Sequence, residues 1–254
     1  MDTQQIENIT LVQPGPFGDL FVCAPIAKYL SEKFSCKIYW PAREKFIPTL
    51  KYFTDYVQPV VIPDTNDHSD WLRSDVMYIY KHIKELIPNA KVLVDLADRG
   101  NYIQQSSKEN FEQYKYRASR VPFEEKNRLS FRRNTDKEKE LEDIVLTHKE
   151  FALVHNIDSY SSRAALPNIE LPIIQIREIP GFNIPDWYSV ITKAKQIYCV
   201  ESSIHQFIDG LIGSGSITQD RYLLRRPIVK EGIRLTMSPY WKLDYIGKDS
   251  IVQG

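Results

Sequence analysis

The sequence of 254 residues predicts an α/β protein built on two parallel, doubly wound sheets. Two observations support this fold class. Short β-prone apolar runs alternate with segments of helical spacing, which is the pattern of parallel strands joined by crossover helices. The polar, charge-rich stretch from 98 to 150 lacks a strand pattern and separates two such sets of elements. It is therefore interpreted as the crossing between two domains, residues 1–145 and residues 146–254.

The first element is a strand, loop and helix between residues 9 and 30. The apolar run stops before Gly15, the chain turns as far as Gly18, and helical spacing follows. Such a junction presents backbone N–H groups and a helix N-terminus at the carboxyl edge of a sheet, where open α/β sheets bind ligands. Asp19 stands at this helix start. Its carboxylate either complements the helix N-terminus or faces a cleft as a general base.

The alternation continues along the chain. In the first half, strands are predicted at 36–40, 57–62 and 90–96, with helices at 43–50 and 74–86. In the second half, strands are predicted at 151–155, 172–177 and 197–200, with a helix near 184–191. Pro41 is expected to end the second strand, because proline has no N–H for a sheet ladder. The order of the C-terminal strands and loops is not predicted.

The strand at 197–200 runs directly into Glu201, Ser202 and Ser203, which begin another helix. N–H donors and hydroxyl groups therefore converge at this point. Glu201 either caps the helix or holds the hydroxyl pair of a ribose, as acidic residues do in dinucleotide folds. His205, further along this helix, is either a structural histidine or a ligand contact.

Two more residues follow the first strand of the second half. His155 ends that strand, where residues of a binding cleft are expected, and Arg163 lies in the polar loop that follows. Both have ordinary structural interpretations as well, since a single histidine or arginine in such a position specifies no chemistry. They are treated as candidate ligand contacts.

Composition limits the classes of partner. The 33 basic and 33 acidic side chains give a formal net charge of zero, so neither nucleic acid nor an anionic membrane surface is an expected partner. The three cysteines form no C-x-x-C pair and are interpreted as reduced thiols of a cytoplasmic protein. No apolar run approaches the roughly 20 residues of a membrane span, and the polar N-terminus predicts no cleaved signal. Peripheral contact with a membrane stays open.

Two motifs carry a resemblance to a known family. Residues 13–20, Gln-Pro-Gly-Pro-Phe-Gly-Asp-Leu, resemble the N-terminal Gly-Asp loop of glycosyltransferase family 9, the heptosyltransferase-like enzymes, as does the Ala-Pro at 24–25. Residues 200–205, Val-Glu-Ser-Ser-Ile-His, resemble the C-terminal Asp-Ser/Thr-Gly-x-x-His donor motif of that family. Glu201 and Ser203 replace its Asp and Gly. His205 comes one position early, so that Gln206 occupies the position of the family histidine.

The resemblance implies a GT-B fold, in which two Rossmann-like domains with parallel sheets face a central cleft. Residues 1–145 would form the acceptor side and residues 146–254 the side of the donor nucleotide. The implied activity is inverting, metal-independent transfer of a hexose or heptose from a nucleotide sugar to an acceptor hydroxyl, with Asp19 as general base. With His155 and Arg163, which are proposed from their positions alone, the candidate donor-binding residues are Gly15, Gly18, His155, Arg163, Glu201, Ser202, Ser203 and His205.

No resident cofactor or metal is implied, since the nucleotide sugar is a co-substrate. The sequence contains no Asp-x-Asp triplet, which agrees with metal independence. The acceptor is expected to be a glycan, a lipid-linked molecule or a small molecule.

Two other hypotheses remain. A Rossmann-type oxidoreductase would use the first loop for a dinucleotide, although the loop lacks the third glycine of G-x-G-x-x-G. Pro14 and Pro16 also remove two N–H groups that a pyrophosphate would use. A non-catalytic GT-B-like protein would bind a nucleotide or sugar without turnover, and the altered motif at 201–203 leaves this alternative open.

Overall fold

The structure is a computed structural model that describes residues 8–64, 71–97, 110–157, 163–224 and 239–244. The chain divides into two compact units, Met1–Arg132 and Arg133–Gly254. A four-stranded sheet lies in the first unit and a five-stranded sheet in the second. All strand pairs within these two sheets are parallel. The predicted α/β class with two parallel sheets is therefore confirmed.

The sheet of the first unit has the strand order β3-β2-β1-β4. Its strands are β1 (Ile9–Val12), β2 (Ile38–Arg43), β3 (Val57–Ile62) and β4 (Val92–Asp95). The helices of this unit are α1 (Phe17–Phe34), α2 (Ile47–Leu50), α3 (Trp71–Leu86) and α4 (Phe111–Ser119). Short 3-10 helices lie at Glu44–Phe46, Lys51–Phe53 and Phe123–Asn127. Every residue of β1 is buried, as expected for a central parallel strand covered on both faces.

The second strand is longer than the sequence predicted. Pro41 does not end β2, which continues to Arg43 in register with β3. On its other side β2 pairs with β1 only at Ile38 and Tyr39. Proline is tolerated where a strand has a ladder partner on one side only, and this explains why the expectation at Pro41 was wrong.

The sheet of the second unit has the order β6-β5-β7-β8-β9. Its strands are β5 (Ala152–His155), β6 (Ile173–Gln175), β7 (Gln196–Val200), β8 (Asp220–Leu224) and β9 (Lys242–Asp244). Its helices are α5 (Thr135–Val145), α6 (Tyr188–Lys193) and α7 (Ser203–Leu211), with 3-10 helices at Ile184–Trp187 and Ile212–Ser214. The sequence pattern did not predict the order of the C-terminal strands, which the structure gives as β8 beside β7 and β9 at the edge of the sheet.

Helix α5 packs within the second unit. Lys193 Nζ on α6 donates a hydrogen bond of 2.6 Å to Glu142 Oε1 on α5. The guanidinium of Arg133 lies 4.4 Å from the centre of the Tyr188 ring, close enough for a cation–π contact. Because of such contacts the second unit begins at Arg133, one helix before the boundary at 145/146 that the sequence suggested.

None of the helices in the described part of the chain combines the length and the apolar character that a membrane crossing requires.

The packing of α5 gives a stability prediction. Leu141 has no exposed surface, so Leu141→Ala is expected to destabilise the second unit by about 2–5 kcal/mol through lost burial and a cavity. Ile144 on the same helix is 52% exposed, and Ile144→Ala is expected to cost less than about 1 kcal/mol. Urea unfolding followed by circular dichroism measures both, and equal losses would contradict this packing.

Candidate functional site

The first candidate site, in the first unit, is the loop between β1 and α1. The peptide bond between Gly15 and Pro16 is cis, and Gly15 has a φ of +150°, which side chains rarely adopt. The ring of Phe46 lies against Gly15 so closely that a Cβ atom there would overlap it. The positive φ and the contact with the Phe46 ring both require glycine at position 15, which explains why the sequence motif has a glycine after the strand.

Asp19 lies in the first turn of α1, at the carboxyl end of β1, as the sequence predicted. Its side chain is 17% exposed and therefore reaches solvent. A carboxylate in the first turn also complements the partial positive charge of the helix N-terminus. Gly18 belongs to the same turn, where backbone N–H groups have no acceptor within the helix.

Gln13 holds this junction together from the inside. Its side chain is fully buried, and its Nε2 donates to Gly15 O at 2.6 Å and to Asp19 Oδ2 at 2.9 Å. Its Oε1 accepts a hydrogen bond of 2.6 Å from Lys115 Nζ. Its backbone carbonyl accepts a hydrogen bond of 2.7 Å from the indole of Trp40. All polar atoms of the Gln13 side chain thus have partners in this network.

Lys115 on α4 is the cation nearest to Asp19 among the contacts described. It is buried, donates to Leu96 O at 2.7 Å, and places its Nζ 3.8 Å from Asp19 Oδ2. The ammonium group of Lys115 therefore lies in the interior of the first unit beside Asp19.

The buried thiols offer no competing nucleophile. Burial raises the pKa of Cys23 to about 12, with smaller influences from the nearby Lys115 and Asp19 charges. Burial also raises the pKa of Cys199 strongly. Both thiols are therefore protonated at neutral pH. All three cysteines are free, as predicted from their spacing.

A second candidate site lies in the second unit, at the carboxyl edge of its sheet. In the parallel register His155 of β5 lies opposite Cys199 of β7, so the ends of these strands are neighbours. Arg163 returns to the same edge through a bridge with Ile157, and its side chain is exposed. The structure thus brings His155, Arg163 and the end of β7 to one edge of this sheet.

Glu201, Ser202 and Ser203 connect β7 to α7. Glu201 is 8% exposed, and the two serines are partly exposed. Ser202 is the N-cap of α7, because its hydroxyl oxygen accepts a hydrogen bond of 3.3 Å from the backbone N–H of His205. Ser203 is the first residue of the helix. These residues form the helix start that the sequence predicted.

The histidines differ in their surroundings. Burial lowers the pKa of His155, and a hydrogen bond with the carbonyl of Ile176 opposes this only in part, so the ring is neutral at pH 7. Its Nδ1 is buried and makes no hydrogen bond within the described residues. His205 is fully buried, and its ring centre lies 4.7 Å from that of Trp241. Its side chain therefore packs in the interior instead of lining the sheet edge.

Gln206 occupies the sequence position of the family histidine. It is 5% exposed, and its Oε1 is buried without a hydrogen-bond partner among the residues that the structure describes. Trp241 Nε1 donates to Asp209 Oδ1 at 3.0 Å and thereby fixes the indole against α7. Within the described ranges, no three His, Cys, Asp or Glu side chains lie close enough together to hold a metal ion.

The loop geometry gives a second stability prediction. Gly15→Ala is expected to lower the free energy of unfolding by about 1–3 kcal/mol, because the new methyl group meets the Phe46 ring in a strained backbone. Gly181 also has a positive φ, +86°, but nothing lies within 4 Å of an added Cβ atom. Gly181→Ala is thus the matched control and should cost less. Denaturant titration compares them, and a larger loss at Gly181 would contradict the Phe46 contact.

No protein-family model matches the sequence, and no curated protein matches it either. The solved structures that are similar to the chain in fold include two glycosyltransferases. The crystal structure of a family 9 glycosyl transferase from Veillonella parvula has a TM-score of 0.53 and 10% identity, over 92% of this chain and 83% of that one. Escherichia coli heptosyltransferase WaaC with ADP-2-deoxy-2-fluoro heptose has a TM-score of 0.54 and 9% identity, over 93% and 92%. At these identities the similarity shows the fold alone, and the fold is that of the GT-B glycosyltransferases.

Proposed function

We propose that the chain is a glycosyltransferase that moves a sugar from a nucleotide sugar to an acceptor hydroxyl, with inversion and without metal. The observation that carries this proposal is the Asp19 carboxylate, held by Gln13 at the carboxyl end of β1 in a fold that two glycosyltransferase structures share. One of those structures contains ADP-2-deoxy-2-fluoro heptose, a nucleotide sugar. A nucleotide-activated hexose or heptose is therefore the donor class in this proposal.

Asp19 acts as the general base in a single displacement. Its carboxylate takes the proton of the acceptor hydroxyl while the hydroxyl oxygen forms a bond to the anomeric carbon of the donor. The bond from that carbon to the diphosphate breaks, and its electron pair leaves with the nucleoside diphosphate. One displacement inverts the configuration at carbon and needs one carboxylate on the acceptor side. The partial exposure of Asp19 allows a hydroxyl group to reach it.

The donor nucleotide binds at the carboxyl edge of the second sheet in this proposal. Glu201 accepts hydrogen bonds from the ribose hydroxyls, and His155 contributes a neutral imidazole at the neighbouring strand end. The N-terminus of α7 at Ser202 and Ser203 faces the diphosphate, whose charge it stabilises together with Arg163.

In the first unit, the start of α1 supplies backbone N–H groups around Gly15 and Gly18, which the proposal also assigns to donor binding. The proposal includes no metal clamp, in agreement with the absence of an Asp-x-Asp triplet from the sequence. His205 enters the proposal as a packing residue on the buried face of α7, because its ring is buried against Trp241. The proposed acceptor is a glycan, a lipid-linked molecule or a small molecule. The proposed compartment is the cytoplasm. If the acceptor is lipid-linked, the proposal places the protein at the membrane surface as a peripheral protein.

A thermal-shift panel tests the donor class. ADP-, GDP-, UDP-, dTDP- and CMP-linked sugars are compared with NAD and NADP, each with and without EDTA. A ligand that binds only the native state raises the melting temperature. We expect stabilisation by a nucleotide sugar in the presence of EDTA. Stabilisation by NAD or NADP alone would favour the oxidoreductase hypothesis instead.

Turnover tests the role of Asp19. With the donor from the panel, Asp19→Asn is expected to lower kcat by about 10²–10⁴-fold, because the amide cannot accept the proton. The dissociation constant of the donor should change by less than about threefold. Asp143→Asn on the exposed side of α5 is the control and should leave kcat unchanged. Binding without turnover in the wild-type chain would support the non-catalytic alternative.

The ribose contact of Glu201 is tested by pairing a protein variant with a ligand variant. Glu201→Gln should weaken binding of the nucleoside diphosphate by about tenfold or more, since a hydrogen bond to a charged group is lost. The wild-type chain should bind a 2′-deoxy nucleotide more weakly than the ribonucleotide. The Glu201→Gln variant should bind the two nucleotides with nearly equal affinity. Calorimetry measures all four affinities, and equal effects of the deoxy group in both proteins would refute the contact.

A further inference from the structure

We infer that Gln13 and Lys115 are positioning residues for Asp19, an inference that rests on the proposed function. The buried group formed by Gln13, Lys115 and the Asp19 carboxylate is called the Gln13 network. It connects three parts of the first unit: the end of β1, the start of α1 and the middle of α4. Neither Gln13 nor Lys115 belongs to the donor-binding motif.

The Gln13 amide has one favourable orientation. Nε2 donates to Gly15 O and to Asp19 Oδ2, while Oε1 accepts from Lys115 Nζ. A half-turn of the amide would place its oxygen against two oxygen atoms and its NH₂ group against an ammonium group. All of these contacts would become repulsive in a buried site, where electrostatic interactions are strong. The amide therefore directs one carboxylate oxygen of Asp19 and restricts rotation of that side chain.

Lys115 fixes the other end of the network. Its Nζ bonds to Gln13 Oε1 at 2.6 Å and to Leu96 O at 2.7 Å, so two acceptors hold the ammonium group in place. From there it lies 3.8 Å from Asp19 Oδ2, and the attraction favours the ionised carboxylate that a general base requires. The thiol of Cys23, which lies within the electrostatic influence of Lys115 and Asp19, carries no charge at neutral pH because burial raises its pKa to about 12.

Catalysis would gain from this arrangement. A carboxylate held in one rotamer removes the cost of orienting the base at each turnover, and misplacement of a reacting group by about 1 Å can reduce a rate about 10²-fold. The same contacts would also exist if the network only stabilised the fold. A double-mutant cycle separates these roles, because a positioning residue acts through Asp19 and a purely structural residue does not.

The experiment compares Gln13→Met, Lys115→Met and Asp19→Asn, alone and as the two doubles with Asp19→Asn. We expect each of the first two variants to lower kcat by about 10–100-fold, with the KM for the donor within about threefold of wild type. In the Asp19→Asn background the same substitutions should lower the residual rate by less than about threefold. Equal effects in both backgrounds would overturn the inference, as would an unchanged kcat in Gln13→Met.

Lys126→Met is the matched control for the loss of a buried lysine. Lys126 Nζ lies 2.5 Å from Glu112 Oε2, and its side chain is 5% exposed, close to the 7% of Lys115. We expect Lys126→Met to lower the melting temperature as Lys115→Met does, but to leave kcat unchanged at a temperature where both variants are folded. A similar loss of kcat in Lys126→Met would show that general destabilisation explains the effect of Lys115→Met.

A measurement without turnover keeps the two proposals separate. The ¹⁵N–¹H signals of the Gln13 side-chain amide should exchange slowly in the wild-type chain and shift in both Asp19→Asn and Lys115→Met. This readout works even if Gln13→Met fails to fold. Unshifted signals would overturn the network itself. If the signals shift in both variants but the wild-type chain turns over no donor, the network exists and the proposed function is overturned. The positioning role is then overturned with it.

Discussion

The hydrogen bonds of the Gln13 side chain are the interaction on which the candidate site of the first unit depends. The amide is fully buried, and a buried polar group without partners costs about 1–3 kcal/mol. It avoids this cost by bonding to Gly15, Asp19 and Lys115 at the same time. The loop, the candidate base and the nearby cation are therefore fixed by one side chain. Trp40 adds a fourth contact, to the backbone of Gln13, and links the loop to β2.

The second candidate site depends on strand register. The parallel pairing of β5 with β7 places His155 beside the end of β7, where Glu201 and Ser202 precede α7. The edge of the sheet therefore collects an imidazole, a carboxylate and a helix N-terminus. The inner face of α7 is used differently, because His205 and Asp209 both contact Trp241. These contacts stabilise the buried face of α7. In the proposed function, the N-terminus of the same helix binds the ligand.

Local signals explain what the sequence could predict. Gly15 and the prolines beside it mark the turn, and the position of Asp19 follows because a helix start lies directly after that turn. The Glu201–Ser203 junction is predicted by the same reasoning. The alternation of strands and helices predicts parallel sheets. That β2 continues through Pro41 could not be predicted from this pattern, because it depends on which residues of β2 pair with β1 and with β3.

Contacts between distant residues explain what the sequence could not predict. Lys115 reaches Gln13 over a separation of 102 residues, and no periodic pattern identifies such a pair. The burial of His205 depends on Trp241, which precedes β9, a strand whose place in the sheet order was not predicted. The membership of α5 in the second unit depends on partners such as Lys193, since its own sequence resembles a solvated helix. In each case the missing information is a tertiary contact.

In the proposed function, Asp19 assists a single displacement at the anomeric carbon, and the stereochemistry of the product tests this step. A donor of known anomeric configuration is incubated with the chain and an acceptor that supports turnover, and the one-bond ¹³C–¹H coupling at the anomeric carbon of the product is measured by NMR. A single displacement gives a product with the opposite anomeric configuration to the donor. Retention of configuration would contradict it, because a single displacement with one base cannot give that result.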